Sequence, residues 1–371
     1  MEVITMKKIS LLLTIAMVLS LLAGCAGTPV VYYTNCTCPT GSHEEAPTEA
    51  APVVTEPVQT EAPVVAEGAV KTGMFITSSI SDSKNATAEE NGEVKYDLTI
   101  VAVNVDDNGV ITDCVIDSLG TSVAFDATGA IVTDLTAPVL TKNELGENYG
   151  MVAWGGAIAE WDAQAAALAS YAVGKTIDEL RNGAVGETGY AQDADLASSA
   201  TIYLGGYVGA IELAMANAKH LGAQAGDELA LVTLNTIGSS TAATAEKDGT
   251  IQLDTGIAVV TSKDGVITSC IIDAVQAKIS FNAAGSITTD LSKAILTKNE
   301  LGKDYGMQAW GGAIAEWNEQ AASFAAYVTG KTAAQVAGIA VSEGKPTDTD
   351  LSTSVTIKIG DFQALVAKAC N

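Results

Sequence analysis

The chain has 371 residues, 48% of them hydrophobic, with 19 Lys and Arg residues against 44 Asp and Glu residues. Its formal charge of −25 argues strongly against a nucleic-acid partner, because neutralising phosphates requires clustered Lys and Arg. With only two histidines, a His-based triad or a multi-His metal site within one domain is not expected. The length predicts two or three domains.

The first 24 residues have the pattern of a secretory signal. Lysines at positions 7 and 8 precede an apolar run from Ile9 to Leu22, and small residues follow. The sequence Leu-Ala-Gly-Cys, which ends at Cys25, resembles the bacterial lipobox, whose cysteine is lipidated and becomes the mature N-terminus. The resemblance implies an extracytoplasmic protein anchored by the Cys25 lipid to the outer face of the cytoplasmic membrane. The alternative is an ordinary cleaved signal with a chance cysteine.

Residues 25–69 have the composition of a tether. The stretch from Thr34 to Val70 contains no aromatic residue, no Lys and no Arg, and six of the eight prolines lie before residue 70. Such a segment buries too little apolar surface to offset the entropy cost of ordering it. We predict a disordered spacer rich in Pro, Glu and Thr that holds the folded part away from the membrane.

The rest of the chain is a tandem duplication. Leu140–Gly146 recurs as Leu296–Gly302, and Ala153–Trp161 recurs as Ala309–Trp317, both at an offset of 156 residues. A period this long indicates two whole domains, residues 70–221 and 222–371, instead of a solenoid. At about 150 residues, each repeat is expected to bury a core and to fold by itself.

Each repeat is predicted to begin with strands and to continue with helices. Alternating apolar and polar residues on both sides of Asn108-Gly109 predict a hairpin, and Asp264-Gly265 marks its counterpart. The segments concerned are Val94–Val105 with Gly109–Ile116, and Thr255–Thr261 with Val266–Ile272. A second hairpin is predicted between Val123–Phe125 and Ile131-Val132. The predicted class is α+β: two tandem homologous domains, each a small antiparallel sheet with helices packed on it.

A helical apolar stripe follows the strands in both repeats. Its residues recur at intervals of three and four, and Gly174 and Gly330 stand where helix-ending glycines belong. The stripes are Trp154, Ile158, Trp161, Ala165, Leu168 and Ala172, and Trp310, Ile314, Trp317, Ala321, Phe324 and Val328. The tryptophans fit either a core or a ligand platform. Each repeat is predicted to close with an extended piece, 200–204 or 355–359, and a last helix, 207–218 or 361–370.

Other motifs carry little chemistry. Gly174-Lys175-Thr176 lacks the upstream glycine and the preceding strand of a phosphate-binding loop, and Asp106-Asp107-Asn108-Gly109 lacks the ligand alternation of a calcium loop. Cys114 and Cys270 are predicted to be buried, unreactive thiols, because no His or basic residue lies near either in the sequence. We therefore predict no metal site and no catalytic residue set.

The closing segments resemble the FMN-binding domain family, which includes flavin-carrying subunits of sodium-translocating NADH:quinone reductase and of the Rnf complex. The resemblance rests on Asp195-Leu196 followed by Ser199-Ala200-Thr201, and on Asp350-Leu351 followed by Ser354-Val355-Thr356. It implies that Ser199, Thr201, Ser354 and Thr356 contact an FMN phosphate and that Trp154 and Trp310 stack on the flavin ring. The hydroxyl that the family esterifies is replaced by Tyr203 and Lys358, so the expected FMN is non-covalent.

Two functions follow as alternatives. One is a non-covalent flavin carrier that exchanges electrons with an extracytoplasmic redox partner. The other is a cofactor-free binding or scaffold lipoprotein of the cell envelope, and the chain also resembles surface lipoproteins of Gram-positive gut bacteria. In the second interpretation the Ser and Thr residues of the closing segments satisfy free amides at a helix start.

Overall fold

Two three-stranded antiparallel sheets, one from each repeat, form the centre of the structure. The computed structural model describes residues 68–370, so the predicted signal, Cys25 and most of the tether lie outside the described residues. In the first sheet the strand order is β1 (Lys71–Ser79), β2 (Gly92–Val105) and β3 (Ile111–Phe125). In the second it is β4 (Glu228–Thr236), β5 (Gly249–Lys263) and β6 (Val266–Phe281).

The two predicted hairpins are confirmed, and their strands are longer than the sequence pattern indicated. In the second hairpin Lys263 pairs with Val266 across a two-residue turn, in which Asp264 has φ 51° and Gly265 has φ 76°. Positive φ at both central residues is the geometry that matches the twist of antiparallel strands. The further hairpin predicted after Phe125 is reduced to one bridge between Phe125 and Ile131.

Helices follow the sheet in each repeat, so the class is α+β. In the first repeat they are α1 (Lys142–Leu145), α2 (Met151–Gly155), α3 (Trp161–Ala172), α4 (Ile177–Gly183), α5 (Ala194–Ser199) and α6 (Gly205–Ala216). In the second they are α7 (Lys298–Leu301), α8 (Met307–Gly311), α9 (Trp317–Val328), α10 (Ala333–Ala337), α11 (Thr349–Ser352) and α12 (Gly360–Ala369). A short hairpin of β7 (Val341–Ser342) and β8 (Lys345–Pro346) precedes α11.

The prediction of one helix from Trp154 to Ala172 is wrong, because the chain forms two helices there. Gly156 adopts a left-handed conformation that ends α2, and α3 begins only at Trp161. The second repeat breaks in the same way at Gly312. The apolar stripe continues through the break because Trp154 and Ile158 keep the helical spacing to Trp161. Trp154 lies in α2 and Ile158 in the connection, so neither belongs to α3.

The extended pieces predicted near the end of each repeat are also wrong. Residues 200–204 and 355–359 form no strand, and they connect α5 to α6 and α11 to α12. The final helices exist, and they begin at Gly205 and Gly360. The predicted helix-ending glycines are confirmed, since Gly174 and Gly330 follow α3 and α9 with φ of 81° and 83°.

Three hydrophobic cores hold these layers together. Each repeat buries one core between its sheet and its helices, with Leu168 central in the first repeat and Phe324 in the second. A third core lies between the two sheets and takes side chains from both repeats. There the Phe125 and Phe281 rings are 4.4 Å apart, and the Tyr96 hydroxyl donates to the Ile251 carbonyl at 3.0 Å. The sequence predicted the two outer cores and gave no sign of the shared one.

The two faces of β2 show how the sheets are covered. From Val94 to Ile100 only alternate residues are buried, and these side chains belong to the shared core. From Ile100 to Val105 every residue is buried, because helices of the first repeat cover the other face. Among the described residues, no helix is long and apolar enough to cross a membrane.

Candidate functional site

The residues predicted to contact a flavin phosphate make local hydrogen bonds in the first repeat. Ser199 is the last residue of α5, and its hydroxyl makes a long contact of 3.4 Å with the Asp195 carbonyl. The Oε1 atom of the fully buried Gln164 accepts from the Thr201 amide at 2.7 Å and from the Thr201 hydroxyl at 3.2 Å. Neither hydroxyl stands at a helix start, so the interpretation as helix-entry residues is wrong.

The second repeat has the same arrangement. Ser354 donates to the Leu351 carbonyl at 3.2 Å. Gln320 Oε1 accepts from the Thr356 amide at 2.8 Å and from its hydroxyl at 3.3 Å. The residues that cap the short helices are Asp193 and Asp348, whose carboxylates accept from the first-turn amides of α5 and α11.

Tyr203 and Lys358 stand where the FMN-binding family has its esterified hydroxyl, and both side chains pack on nearby turns. The Tyr203 ring meets Tyr190 edge-on at 5.8 Å, and it lies close enough to Gly189 that a β-carbon there would be 2.2 Å away. The Lys358 side chain lies against Gly344. The closing segments of the two repeats thus share a backbone path and differ in this side chain.

The four tryptophans divide into two buried and two exposed. Trp161 and Trp317 begin α3 and α9 within the outer cores, where they meet Tyr207 and Phe362 edge-on. Trp154 and Trp310 are 91% and 89% exposed. The core interpretation of the tryptophans therefore holds for one member of each pair and is wrong for the other.

A glutamate caps the short helix that carries each exposed tryptophan; Glu160 is partly buried and Glu316 is buried. Helix α2 has no side-chain cap of its own, and the Glu160 carboxylate accepts from the amides of Met151 at 2.8 Å and Val152 at 3.0 Å. Glu316 does the same for α8. Two of the amides that a helix start leaves free are satisfied in this way, and the negative charge suits the positive end of the helix.

The sheets of the two repeats meet along two seams that are related by the duplication. The open seam lies between β1 with α6 and β6 with α7, and the Ser78 hydroxyl crosses it to the Ile295 carbonyl at 2.7 Å. The closed seam lies between β4 with α12 and β3 with α1, and the Asn235 side-chain amide crosses it to the Val139 carbonyl at 3.2 Å. Ser78 and Asn235 are counterparts in the two repeats, and so are Ile295 and Val139. The two seams therefore occupy equivalent positions in the fold.

A lysine fills the closed seam. The Lys368 ammonium, on α12, binds the carboxylate of Glu144 on α1 and also donates to the Thr233 carbonyl at 2.7 Å. This side chain ties the last helix of the second repeat to the first repeat.

The open seam holds a cavity of about 650 Å³. Its wall takes residues from both repeats: mainly apolar ones from β1, β6 and α9, and polar ones from α7 and the chain after α6. They include Met74, Phe75, Ile272, Ala322, Asn217 and Glu300. This volume falls in the range typical of small-molecule sites, which also tend to form where two domains meet.

Polar groups in the cavity wall have unusual environments. Asp273 is 5% exposed, and burial raises its pKa to about 6, although amides of Asn299 and Ala274 and the Thr297 hydroxyl stabilise its charge. The Asn318 side-chain oxygen is shielded from solvent and accepts no hydrogen bond from a described residue. Most buried polar atoms in folded proteins have a partner, so this oxygen offers an acceptor to a bound molecule.

The cavity is suited to binding, and the cysteine in its wall is not activated. Cys270 lies in its wall, but complete burial raises the pKa of the thiol to about 12, and Cys114 in the first repeat has the same value for the same reason. Both cysteines are buried as predicted. Within residues 68–370, no group of three His, Cys, Asp or Glu side chains is placed to hold a metal ion.

Comparison with protein-family models, with curated proteins and with solved structures found no match to this chain. The resemblance to the FMN-binding family therefore stays a prediction, and the geometry of the chain itself is the basis for a function.

No pattern in the sequence predicted the cavity. Its wall combines residues from both repeats that lie far apart along the chain, and none of the predicted flavin residues belongs to it. One signal was present in the alignment of the repeats. Lys368 is aligned with Leu213, a charged residue against an apolar one, and such a change marks where two copies of a duplicated domain differ in role.

Proposed function

We propose that the protein is a lipid-anchored, extracytoplasmic binding protein that holds a small molecule in the open-seam cavity. The cavity itself is the observation that carries the proposal: about 650 Å³, bounded by both repeats, mostly apolar, with a shielded acceptor on Asn318. The lipobox resemblance at Cys25 and the tether composition support the location, since they put a folded module outside the membrane at the end of a spacer.

The residues of the cavity wall support ligand binding and not catalysis. Covalent catalysis needs an activated nucleophile next to a base, and the Cys270 thiol has a pKa of about 12. Asp273, a buried acid in the cavity wall, already accepts hydrogen bonds from two backbone amides, which fix its orientation within the wall. The cavity wall therefore supplies shape and hydrogen-bond partners for a ligand.

Thermal unfolding of the lipid-free chain, from residue 25 with Cys25→Ser, tests this proposal against a panel of small polar and aromatic molecules. A ligand that binds the folded state raises the unfolding temperature. Ala322→Trp places an indole in the cavity and should remove the stabilisation by any ligand that binds there. Ala166→Trp changes the counterpart in the first repeat and should leave it intact. A panel without effect, or equal loss in both variants, would contradict the proposal.

A non-covalent flavin carrier is a second proposal, and the exposed indoles of Trp154 and Trp310 favour it as stacking surfaces. Against it, the Thr201 and Thr356 hydroxyls already donate to buried glutamines. FMN titration separates the two sites, because flavin stacked on the indoles should quench their fluorescence, and Trp154→Ala with Trp310→Ala should abolish binding. If FMN binding instead disappears in Ala322→Trp, the flavin occupies the cavity and the stacking site is refuted.

A further inference from the structure

The two seams are equivalent in the fold, yet only the closed seam has a lysine at the position of Lys368. In the closed seam the Lys368 ammonium lies between the Glu144 carboxylate and the Thr233 carbonyl. Aligned by their first residues, β1 and β4 are offset by 157 residues, α1 and α7 by 156, and α6 and α12 by 155. The counterparts of these three residues in the open seam are therefore Leu213, Glu300 and Ile76. Leu213 is an exposed apolar side chain that carries no charge, and both Ile76 and Glu300 belong to the cavity wall.

The Ile76 carbonyl faces the open seam. Thr72 exchanges backbone hydrogen bonds with Lys219, so its amide and carbonyl point away from β2. In an antiparallel edge strand every second residue points the same way, which gives Met74 and Ile76 the same orientation. The side-chain amide of Asn217 confirms it for Met74, whose carbonyl accepts at 3.1 Å. The next outward carbonyl along the strand is that of Ile76.

The Glu300 carboxylate is oriented like that of Glu144. In each glutamate Oε2 accepts from the amide of the helix-capping threonine at 2.8 Å, Thr297 in one seam and Thr141 in the other. In Glu144 the remaining atom, Oε1, binds the Lys368 ammonium. Glu300 Oε1 is the equivalent atom, and it makes no hydrogen bond or ion pair with another described residue.

The other residues of the cavity indicate what kind of group the cation is attached to in the ligand. Met74, Phe75 and Ile272 give the wall an apolar surface, and Ala322 and Ala326 leave room beside it. The shielded Asn318 oxygen adds an acceptor for an N–H or O–H group. The formal charge of −25 for the whole chain favours a cationic ligand over an anionic one.

We infer that the open-seam cavity binds a primary amine with an apolar body, whose ammonium lies between the Glu300 carboxylate and the Ile76 carbonyl. The ligand's ammonium takes the position that the chain's own Lys368 occupies in the closed seam. This inference rests on the proposed binding function and adds the ligand class to it. Lys219 is the one lysine in the cavity wall, and it forms no ion pair with a described residue.

Paired probes test the charge separately from the cavity. 2-Phenylethylamine and 2-phenylethanol have nearly the same shape, and only the amine is charged at neutral pH. We expect calorimetric titration of the lipid-free chain to give the amine a two- to fivefold lower Kd, roughly the contribution of an exposed ion pair. High salt should reduce this ratio toward one, because exposed charges are screened.

Three variants identify the residue that causes the preference for the amine over the alcohol. Glu300→Gln should make the amine and the alcohol bind equally while leaving the alcohol affinity unchanged. Leu213→Lys copies the closed seam, so its own ammonium should occupy the site and also remove the preference. Glu144→Gln removes the equivalent carboxylate of the other seam and should leave the ratio as in the unaltered chain.

The outcomes separate the inference from the function on which it rests. If both probes bind equally, and Glu300→Gln and Leu213→Lys change nothing, the amine inference is overturned while the cavity remains a binding site. If neither probe binds up to about 10 mM, a concentration that reveals even weak association, the amine inference fails. The proposed function fails as well if the panel of small molecules also leaves the unfolding temperature unchanged. A preference that persists in Glu300→Gln and vanishes in Lys219→Met also overturns the assignment.

Discussion

At the scale of single residues, a buried glutamine organises the end of each repeat. Gln164 and Gln320 are fully buried, and each links the start of a long helix to the closing segment. The side-chain amide of Gln164 donates to the Ala159 carbonyl, and its oxygen accepts from the Thr201 and Ile202 amides. The segment that resembles a flavin motif therefore has a structural partner within the same repeat.

Replacing this glutamine should cost far more than replacing the threonine that it binds. Gln164→Ala leaves the partly buried amides of Thr201 and Ile202 without this acceptor, so we expect the free energy of unfolding to fall by about 1–3 kcal/mol. Thr201→Val keeps both amide bonds and should cost less than about 1 kcal/mol. Urea unfolding measures both, and equal losses would show that the amides find water instead.

Asp273 should make stability depend on pH in a defined direction. Its folded pKa of about 6 lies above the value of about 4 expected when unfolded, so the folded state binds the proton more tightly. Its stabilising contribution is therefore complete below about pH 4 and is lost as the pH rises through about 6, a change of about 2–3 kcal/mol.

Asp273→Asn isolates this contribution. The difference in free energy of unfolding between the unaltered chain and this variant should move in favour of the variant between pH 4 and pH 7. Asp117, the counterpart in the first repeat, has its pKa raised by burial as well, so Asp117→Asn should show a difference of the same sign. A difference that does not vary with pH would mean that Asp273 titrates as an exposed carboxyl.

At the scale of elements, the break between α2 and α3 decides where the exposed tryptophan lies. Gly150 has φ 81°, and a β-carbon there would lie 2.4 Å from Cδ1 of Trp154. The Trp154 ring therefore packs against the glycine that precedes its own helix. Gly306 and Trp310 repeat this contact in the second repeat.

Gly150→Ala should destabilise α2 and displace the Trp154 ring. A left-handed backbone conformation costs a non-glycine residue about 1–2 kcal/mol, and the clash adds to it. Gly155→Ala is the control, because this position is helical and has no atom within 4 Å of the added β-carbon, so it should be neutral or slightly stabilising. Unfolding free energy and tryptophan emission report both, and equal behaviour would refute the packing.

Sequence patterns predicted these elements where local rules suffice. Alternation and turn residues located the β2–β3 and β5–β6 hairpins, because the strands are consecutive and the turns have specific conformational demands. The helix through Trp154 failed because spacing alone does not reveal that Gly156 turns left-handed and that Glu160 caps the preceding helix from eight residues away. Strands β1 and β4 went unpredicted, since their pairing depends on partners further along the chain.

At the scale of the whole molecule, the shared core joins the repeats. The sheets face each other through Phe125, Phe281 and Tyr96, and the Lys368–Glu144 pair ties the helices across the closed seam. The independent folding of residues 222–371 was predicted from length alone. Length cannot show which apolar side chains face the other repeat. The structure revises that expectation, since the isolated half would expose one face of its sheet.

The isolated second repeat should therefore unfold without a cooperative transition. Residues such as Ile251, Leu253 and Phe281 would lose their partners from the first repeat, and the stabilisation from burying them would be lost with the contacts. Calorimetry of residues 222–371 alone and mixed with residues 68–221 gives the measurement, and the mixture should recover a cooperative melt. A cooperative melt of the half by itself, as a monomer, would show that the shared core is dispensable.

The cavity also depends on the whole molecule, because neither repeat forms it alone. The two-dimensional NMR spectrum of the isotope-labelled lipid-free chain during titration with 2-phenylethylamine tests whether one seam is open for binding and the other is closed by Lys368. The amide signals of Ile272, Thr297 and Ala326 should shift, while those of their closed-seam counterparts Ile116, Thr141 and Ser170 should stay in place. Shifts centred on the closed seam or on Trp154, or no shifts at about 10 mM amine, would show that the open seam is not the binding site for the amine.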